Sequence, residues 1–335
     1  MEYLQLFNWY DTYHRDLPFR KTKNPYQIWV SEIMLQQTQV DTMLPYYEKF
    51  LKTFPNCFVL ASKDLDEVLK VVQGIGYYKR FRMLLEGAKY VVDTYQGNLP
   101  SDYEKLLKIP GIGAYTAGAI MSIAFDKPYP ATDGNVIRVL SRVYQYSDDF
   151  RIEKNKKKLN EINKKLIKNS GNPYKYTQSV MELGATVCKP QNPKCNECPL
   201  SNMCLSYQSG TQLNYPVMSK LKEKKEVVYT VLILKYKDGY LLRKRDDALL
   251  HGFYEFVQIE TGSIHYAQNT LENEGVTVSI TDELKPIKHV FTHMVWHIKP
   301  YLGYVDQMIE GYELVTDFSL ITRSSVLEKI LKVML

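Results

Sequence analysis

Cysteine is scarce in this chain. Five occur in 335 residues, and four of them fall within CKPQNPKCNECPLSNMC, residues 188–204. The opening stretch, MEYLQLFNWYDTYHRDLPFR, lacks a basic region followed by an apolar one, so no export is expected. Disulfides need an oxidising compartment, and in a reducing cytosol a compact four-thiol loop reads as a metal site. The spacing C-x6-C-x2-C-x5-C on Cys188, Cys195, Cys198 and Cys204 has one C-x2-C, whereas structural zinc usually takes two such knuckles. An iron–sulfur cluster tolerates the longer gaps, but thiol chemistry alone leaves the two metals open. Also absent is any run of roughly eighteen apolar residues, so no membrane-spanning helix is expected. Strong net charge is lacking too: the formal value is +6. RIEKNKKKLNEINKKLIKNS, 151–170, has eight Lys or Arg against two Glu and carries all of it. Such a run is either a solvated helix face or a surface that attracts phosphate.

What remains is an ordinary soluble balance, 45% hydrophobic and 24% charged, in a chain long enough for two cores. Up to about residue 205 the apolar residues recur at helical spacing, broken by GNLPSD (97–102) and DKPYPATDG (126–134). From 227 the texture changes: VVYTVLILKY is apolar and β-branched, and KDGY follows as an Asp-Gly hairpin turn. YPVMSKLKEKKE, 215–226, reads as a linker. The organisation expected is an all-α module over 1–214 and a smaller α+β module over 227–335.

Three stretches carry candidate chemistry. In SDYEKLLKIPGIGAYTAGAIMSIAF, 101–125, Ser101 and Glu104 predict a capping box, and Pro110 with Gly111 a stop. Gly111 and Gly113 then turn the chain into a second helix, a hairpin whose backbone N–H groups can approach a phosphate. GIGYYKR, 74–80, repeats the glycine pattern with two aromatic rings and two cations. In PYQIWVSEIMLQQTQV, Glu32 has Ile28, Trp29, Leu35 and Gln36 as helical neighbours, so its carboxyl either is desolvated with a raised pKa or sits at one wet edge. In ATDGNVIRVLSRV, Asp133 is placed to cap a helix, where amides and dipole favour its charged form. Two carboxyls with environments that push their pKa values apart form an acid/base arrangement.

LPFR, NPYQIWVSEIMLQQTQV, IPGIGAYTAGAI, TDGNVIRV and the cysteine loop, in that order, resemble the adenine DNA glycosylases of the MutY kind, in the endonuclease III helix–hairpin–helix superfamily. The resemblance covers roughly 1–210 with specific motifs and the C-terminal module with weaker ones. It implies a [4Fe–4S] cluster on the four cysteines, with Lys189 and Lys194 facing DNA phosphate. It implies that Glu32 protonates adenine at N7, and that Asp133 stabilises the oxocarbenium-like sugar or captures it. Tyr115 and Asn135 are implied to position these carboxylates and the base, which must be flipped out of the duplex. Arg20 would lie against the adenine pocket, and Gln37 and Tyr77 would enter the base stack.

The second module resembles the family's Nudix-like domain, which recognises 8-oxoguanine opposite the adenine. TLENEGVTVSI (270–280) lacks the R-E-x-x-E-E cluster of hydrolytic Nudix enzymes, so pyrophosphate hydrolysis is not expected. Phe291-Thr292-His293 stands where the family commonly carries Phe-Ser-His, although the stretch also alternates as a plain strand. The resemblance thus implies a monofunctional, monomeric repair enzyme, cytoplasmic and associated with the nucleoid. Its implied partner is double-stranded DNA with an 8-oxoguanine:A or G:A mispair. The rivals are an endonuclease III-like glycosylase/lyase and a non-catalytic iron–sulfur DNA-binding protein. Tyr115, where the lyases place a lysine, argues against the first; Glu32 in an apolar helix argues against the second.

Overall fold

The computed structural model describes residues 1–219 and 223–334. The chain divides into two units, Met1–Ser62 with Arg82–Lys220, and Lys63–Phe81 with Leu221–Leu335. Most of the 215–226 stretch precedes the first strand, and its residues 220–222 lie outside the described ones.

The first unit is helical. Asn24 starts the helix Pro25–Leu35 by accepting from the Tyr26 and Gln27 amides, and proline at the first position has no N–H to satisfy. Ile28 through Met34 are all buried, so this helix runs through the core and takes Glu32 with it. The expected Ser101–Glu104 capping box does not form. Asp102 caps the helix Tyr103–Leu107 instead, accepting from Lys105 N at 2.9 Å. An aspartate there adds charge complementary to the helix dipole, which serine cannot.

Gly111 makes the hairpin turn at φ +80°, and a Cβ there would meet the Met83 Cβ at 2.9 Å. The helix Ala114–Ala119 follows and runs on through a π-helical turn, Ile120–Ala124. Asp133 caps Gly134–Tyr144, as its sequence position suggested. The lysine-rich stretch forms the helix Glu153–Asn169, with Leu159, Asn163 and Ile167 buried in one stripe and its lysines exposed.

The second unit is built on a mixed seven-stranded sheet of order β4-β6-β1-β3-β2-β7, with β5 also on β6. The strands are β1 (Lys225–Tyr236), β2 (Gly239–Lys244), β3 (Tyr254–Ile259), β4 (Ser279–Glu283), β5 (Ile287–Val290), β6 (Met294–Tyr304) and β7 (Glu313–Val315). Among the strand-to-strand pairings of the described residues only β1 and β6 run parallel, and Tyr254 of β3 adds an isolated parallel bridge to Arg323. Val231 and Ile233 of β1 pack with the helix Ser325–Met334, while Leu232 and Leu234 pack with the helix Ile264–Asn273. Burial on both faces explains why β1 is a continuous apolar run rather than an alternating one.

The β1–β2 turn differs from the Asp-Gly turn expected. Tyr236 pairs with Gly239, so Lys237 and Asp238 form the loop, with Lys237 at φ +51°. Gly239 is needed in the strand itself, where a Cβ would meet the Val315 carbonyl oxygen at 2.8 Å. Lys63–Phe81 belongs to this unit through Tyr78, whose ring centroid lies 4.3 Å from that of Phe253, and through an Asp66–Lys244 ion pair.

Candidate active site

The helix Pro25–Leu35 carries Glu32 into the protein at 5% exposure. The first turn after the hairpin presents Tyr115, whose hydroxyl donates to Glu32 Oε2 at 2.5 Å. Burial raises the Glu32 carboxyl to about 7, with the Asp133 charge adding to the shift and the Tyr115 hydrogen bond and Arg20 opposing it. Burial and the two carboxylates push the Tyr115 phenol well above its ordinary value, so it remains a donor. Of the two positions open to Glu32, the desolvated one is observed.

Asp133 uses both oxygens. Oδ1 accepts from Val136 N and Oδ2 from Asn135 Nδ2, each at 2.7 Å. Burial nevertheless raises its carboxyl above the usual range, against those hydrogen bonds and the Arg138 charge. The cap is therefore present, but its effect on the pKa is not the net lowering that dipole and amides alone imply. Arg138 continues the chain of contacts, donating to Asn135 Oδ1 at 2.8 Å and, through Nε, to the Cys188 carbonyl at 2.7 Å.

Arg20 has a side chain only 7% exposed and donates to Glu182 Oε2 at 2.5 Å. Its Nε is buried without a hydrogen-bond partner. Glu182, fully buried, also receives Arg15 Nε at 2.9 Å and Arg15 Nη2 at 2.8 Å. Burial works to raise Glu182, but the hydrogen bonds from Arg15 and Arg20 outweigh it and bring the carboxyl down to about 2. Sequence reasoning missed Glu182, Arg15 and Arg138. The available signal was a second acid in an apolar helical stretch, VMELGA, like that around Glu32.

Gln37 and Tyr77 are both in left-handed backbone conformations, φ +58° and +51°, and both are exposed. Such a conformation is uncommon for residues other than glycine and holds each side chain out of regular structure. Tyr77 places its hydroxyl 3.0 Å from Thr292 Oγ1. Phe291, Thr292 and His293 form the turn between β5 and β6, closed by Phe291 N donating to Met294 O at 2.8 Å. They are therefore a loop rather than the middle of a plain strand. The Phe291 ring packs 4.9 Å from Trp296 and 4.5 Å from His289, while Thr292 and His293 are exposed. At the hairpin, Gly113 has open space where a Cβ would sit.

The four clustered cysteines line one cavity with Val139, Leu183, Val187 and Arg142. All are free thiols, and Cys57 is buried elsewhere. No three His, Cys, Asp or Glu among the described residues converge as ligands of one ion. Four thiols around one cavity are a donor set that an iron–sulfur cluster takes. Burial pushes the Cys198 thiol up to about 12, so ligation would have to displace its proton. Buried Arg142 secures the loop, donating to the Lys189 carbonyl at 2.7 Å and the Pro190 carbonyl at 2.8 Å, with Cys188 Sγ at 3.4 Å. Lys189 is exposed, whereas Lys194 is paired with Glu197 at 3.0 Å.

Residues 30–169 match the HhH-GPD superfamily of base excision DNA repair proteins, and residues 188–204 match the iron–sulfur binding domain of endonuclease III. The chain is 36% identical over 312 residues to an adenine DNA glycosylase of Buchnera aphidicola subsp. Baizongia pistaciae, covering 89% of this chain and 84% of that one. It is 42% identical over 216 residues to the adenine DNA glycosylase of Homo sapiens, covering 62% of this chain and 39% of that one. Among solved structures, a thermostable thymine-DNA glycosylase superposes with a TM-score of 0.56 at 29% identity, over 62% of this chain and 95% of that one. An endonuclease III–DNA complex, at 23% identity and a TM-score of 0.52, covers 63% of this chain and 95% of that one and shares the fold.

Proposed function

Because the chain belongs to the adenine DNA glycosylase family, we propose that it hydrolyses the N-glycosidic bond of adenine mispaired with 8-oxoguanine or guanine in duplex DNA. One observation carries the reading: a buried glutamic acid, held near pKa 7 and hydrogen-bonded by Tyr115, beside a doubly hydrogen-bonded aspartate. A carboxyl with that pKa is protonated in a useful fraction at neutral pH and can still give up its proton.

Glu32 is the acid that protonates the flipped adenine, which turns the base into a better leaving group. Asp133 stabilises the sugar as positive charge develops on it, or captures it, and Asn135 holds the carboxylate in place. Tyr115 orients Glu32 and cannot form an imine, so the reading is monofunctional, leaving the abasic strand uncut. Arg20, fixed by Glu182, supplies a cation beside the pocket, and its buried unpaired Nε is free to meet the base.

The [4Fe–4S] cluster, when bound, supplies iron–thiolate bonds that close the 188–204 loop on Cys188, Cys195, Cys198 and Cys204. Gly111 makes the hairpin turn and Gly113 leaves it open to a phosphate, and Gln37 and Tyr77 enter the stack. In the sheet unit, whose architecture suits a Nudix-like domain, the Phe291–Thr292–His293 turn reads the base opposite the adenine, supported by the hydroxyl pair with Tyr77. The protein acts as a monomer associated with the nucleoid.

The test is to incubate the purified protein with duplexes bearing A opposite 8-oxoguanine, G, C or T. Release of adenine from the first two, with strand cleavage only after alkali, is expected. No release from any of them, or strong alkali-independent cleavage, contradicts the reading.

A further inference from the structure

The helix Glu153–Asn169 buries a single stripe, Leu159, Asn163 and Ile167, spaced four residues apart. An asparagine in the middle of that stripe is out of character, since a buried amide is costly unless each end is paired. Here both ends are paired. Asn163 is 2% exposed, its Nδ2 donates to Thr132 Oγ1 at 2.9 Å, and its Oδ1 accepts from the Tyr176 hydroxyl at 2.7 Å. Tyr176 is itself buried, and burial raises its phenol well above the ordinary value, so it stays a donor and fixes which way the amide points.

Thr132 immediately precedes Asp133, in a strap without regular secondary structure that runs from 126 to 133. Two glycines press on this strap and its continuation. A Cβ at Gly118 would overlap the Pro130 carbonyl oxygen, and one at Gly184 would fall 2.5 Å from Asn135 Cβ. Those contacts limit where the strap can go, but neither is directional. The Asn163 hydrogen bond is directional, and it grips the residue next to the carboxylate.

We propose that Asn163 is a positioning residue for the glycosylase reaction: through Thr132 it fixes the backbone that presents Asp133 to the sugar. The inference rests on the role given to Asp133 above. It assigns a task to the inner face of the lysine-rich helix, whatever its exposed lysines bind. A small displacement of a charge-stabilising group can slow chemistry a hundredfold without weakening binding.

The test combines two substitutions. Asn163→Leu keeps a branched side chain and removes both hydrogen bonds. Thr132→Val removes only the hydroxyl that Asn163 holds, at a partly exposed site where folding is not at risk. Each should slow single-turnover adenine release about tenfold, while Kd for duplex with an uncleavable adenine analogue stays within about twofold. The double variant should be no slower than the worse single one, because both changes break one link. Thr132→Ser, which restores the hydroxyl, should recover the rate. Release by Thr132→Val within about twofold of wild type overturns the proposal, as does a double variant showing the product of two independent losses. Asp133→Asn separates the two levels. Full activity there removes the role of Asp133 itself, whereas an inactive Asp133→Asn beside a fully active Thr132→Val removes only the role of Asn163.

Discussion

Glu32 and Thr292 mark two ways of using a polar side chain. The carboxyl in the helical unit is 5% exposed, and burial sets its pKa near 7. The hydroxyl in the sheet unit is exposed on a turn, carried by aromatic packing beneath Phe291. Proton transfer needs a group whose affinity for the proton has been altered, and desolvation does that. Reading a base needs a group that reaches outward and is held still. Both regions depend on a tyrosine hydroxyl, Tyr115 at one and Tyr77 at the other. Only at the first does that hydroxyl alter a titrating group.

The sharpest way to break this contrast is Glu32→Gln. It keeps the shape and removes the transferable proton, so adenine release should fall about 1,000-fold while duplex Kd changes little. Loss of less than about tenfold would remove Glu32 as the acid. Next in size is Cys198→Ser, which should abolish the broad visible absorption of an iron–sulfur protein and lower the Tm of the helical unit. A colourless wild-type protein containing one zinc would refute the cluster.

Glu182→Gln comes third, because it leaves Arg20 buried with a weakened partner. A loss of about 3 kcal/mol in chemical denaturation at pH 7 is expected. Glu182 titrates near 2 when folded, below its ordinary value, so its contribution is present above about 4.5 and disappears as the pH falls through 2. A variant that loses stability equally at pH 7 and pH 2 would contradict that assignment. The smallest effect is expected from Thr292→Val, which removes the exposed hydroxyl. Preference for 8-oxoguanine over guanine opposite the adenine should drop a few-fold, with release from G:A pairs unchanged, in line with one neutral hydrogen bond of about 1 kcal/mol. Unchanged preference would show that this turn does not read the lesion through Thr292.

Much of the candidate site was legible because its signals are local. A carboxylate in an apolar helix, an aspartate before a helix and four thiols within one loop each announce themselves over a few residues. Glu182 and Asn163 did not. Glu182 is neutralised by Arg15 and Arg20, 167 and 162 residues away in sequence, so nothing nearby marks it as paired. Asn163 hid in a lysine-rich run whose composition drew attention to charge and away from the inner stripe. Local chemistry also misled in two places. Ser101 offered a capping box, but Asp102 is the better cap, and Asp-Gly suggested a turn that strand register moved by one residue. The grouping of Lys63–Phe81 with the sheet unit follows from packing of Tyr78 and pairing of Asp66, neither of which has a sequence pattern.

The most direct measurement is the single-turnover rate of adenine release from duplex containing A opposite 8-oxoguanine, followed from pH 5.5 to 9. The proposed role of Glu32 requires its protonated form, and burial raises that carboxyl to about 7. The rate should therefore be nearly level on the acid side of 7 and fall about tenfold per pH unit above it. The Glu32→Gln variant should lose this alkaline limb. A rate that rises with pH through 7 would make Glu32 a base and contradict the account.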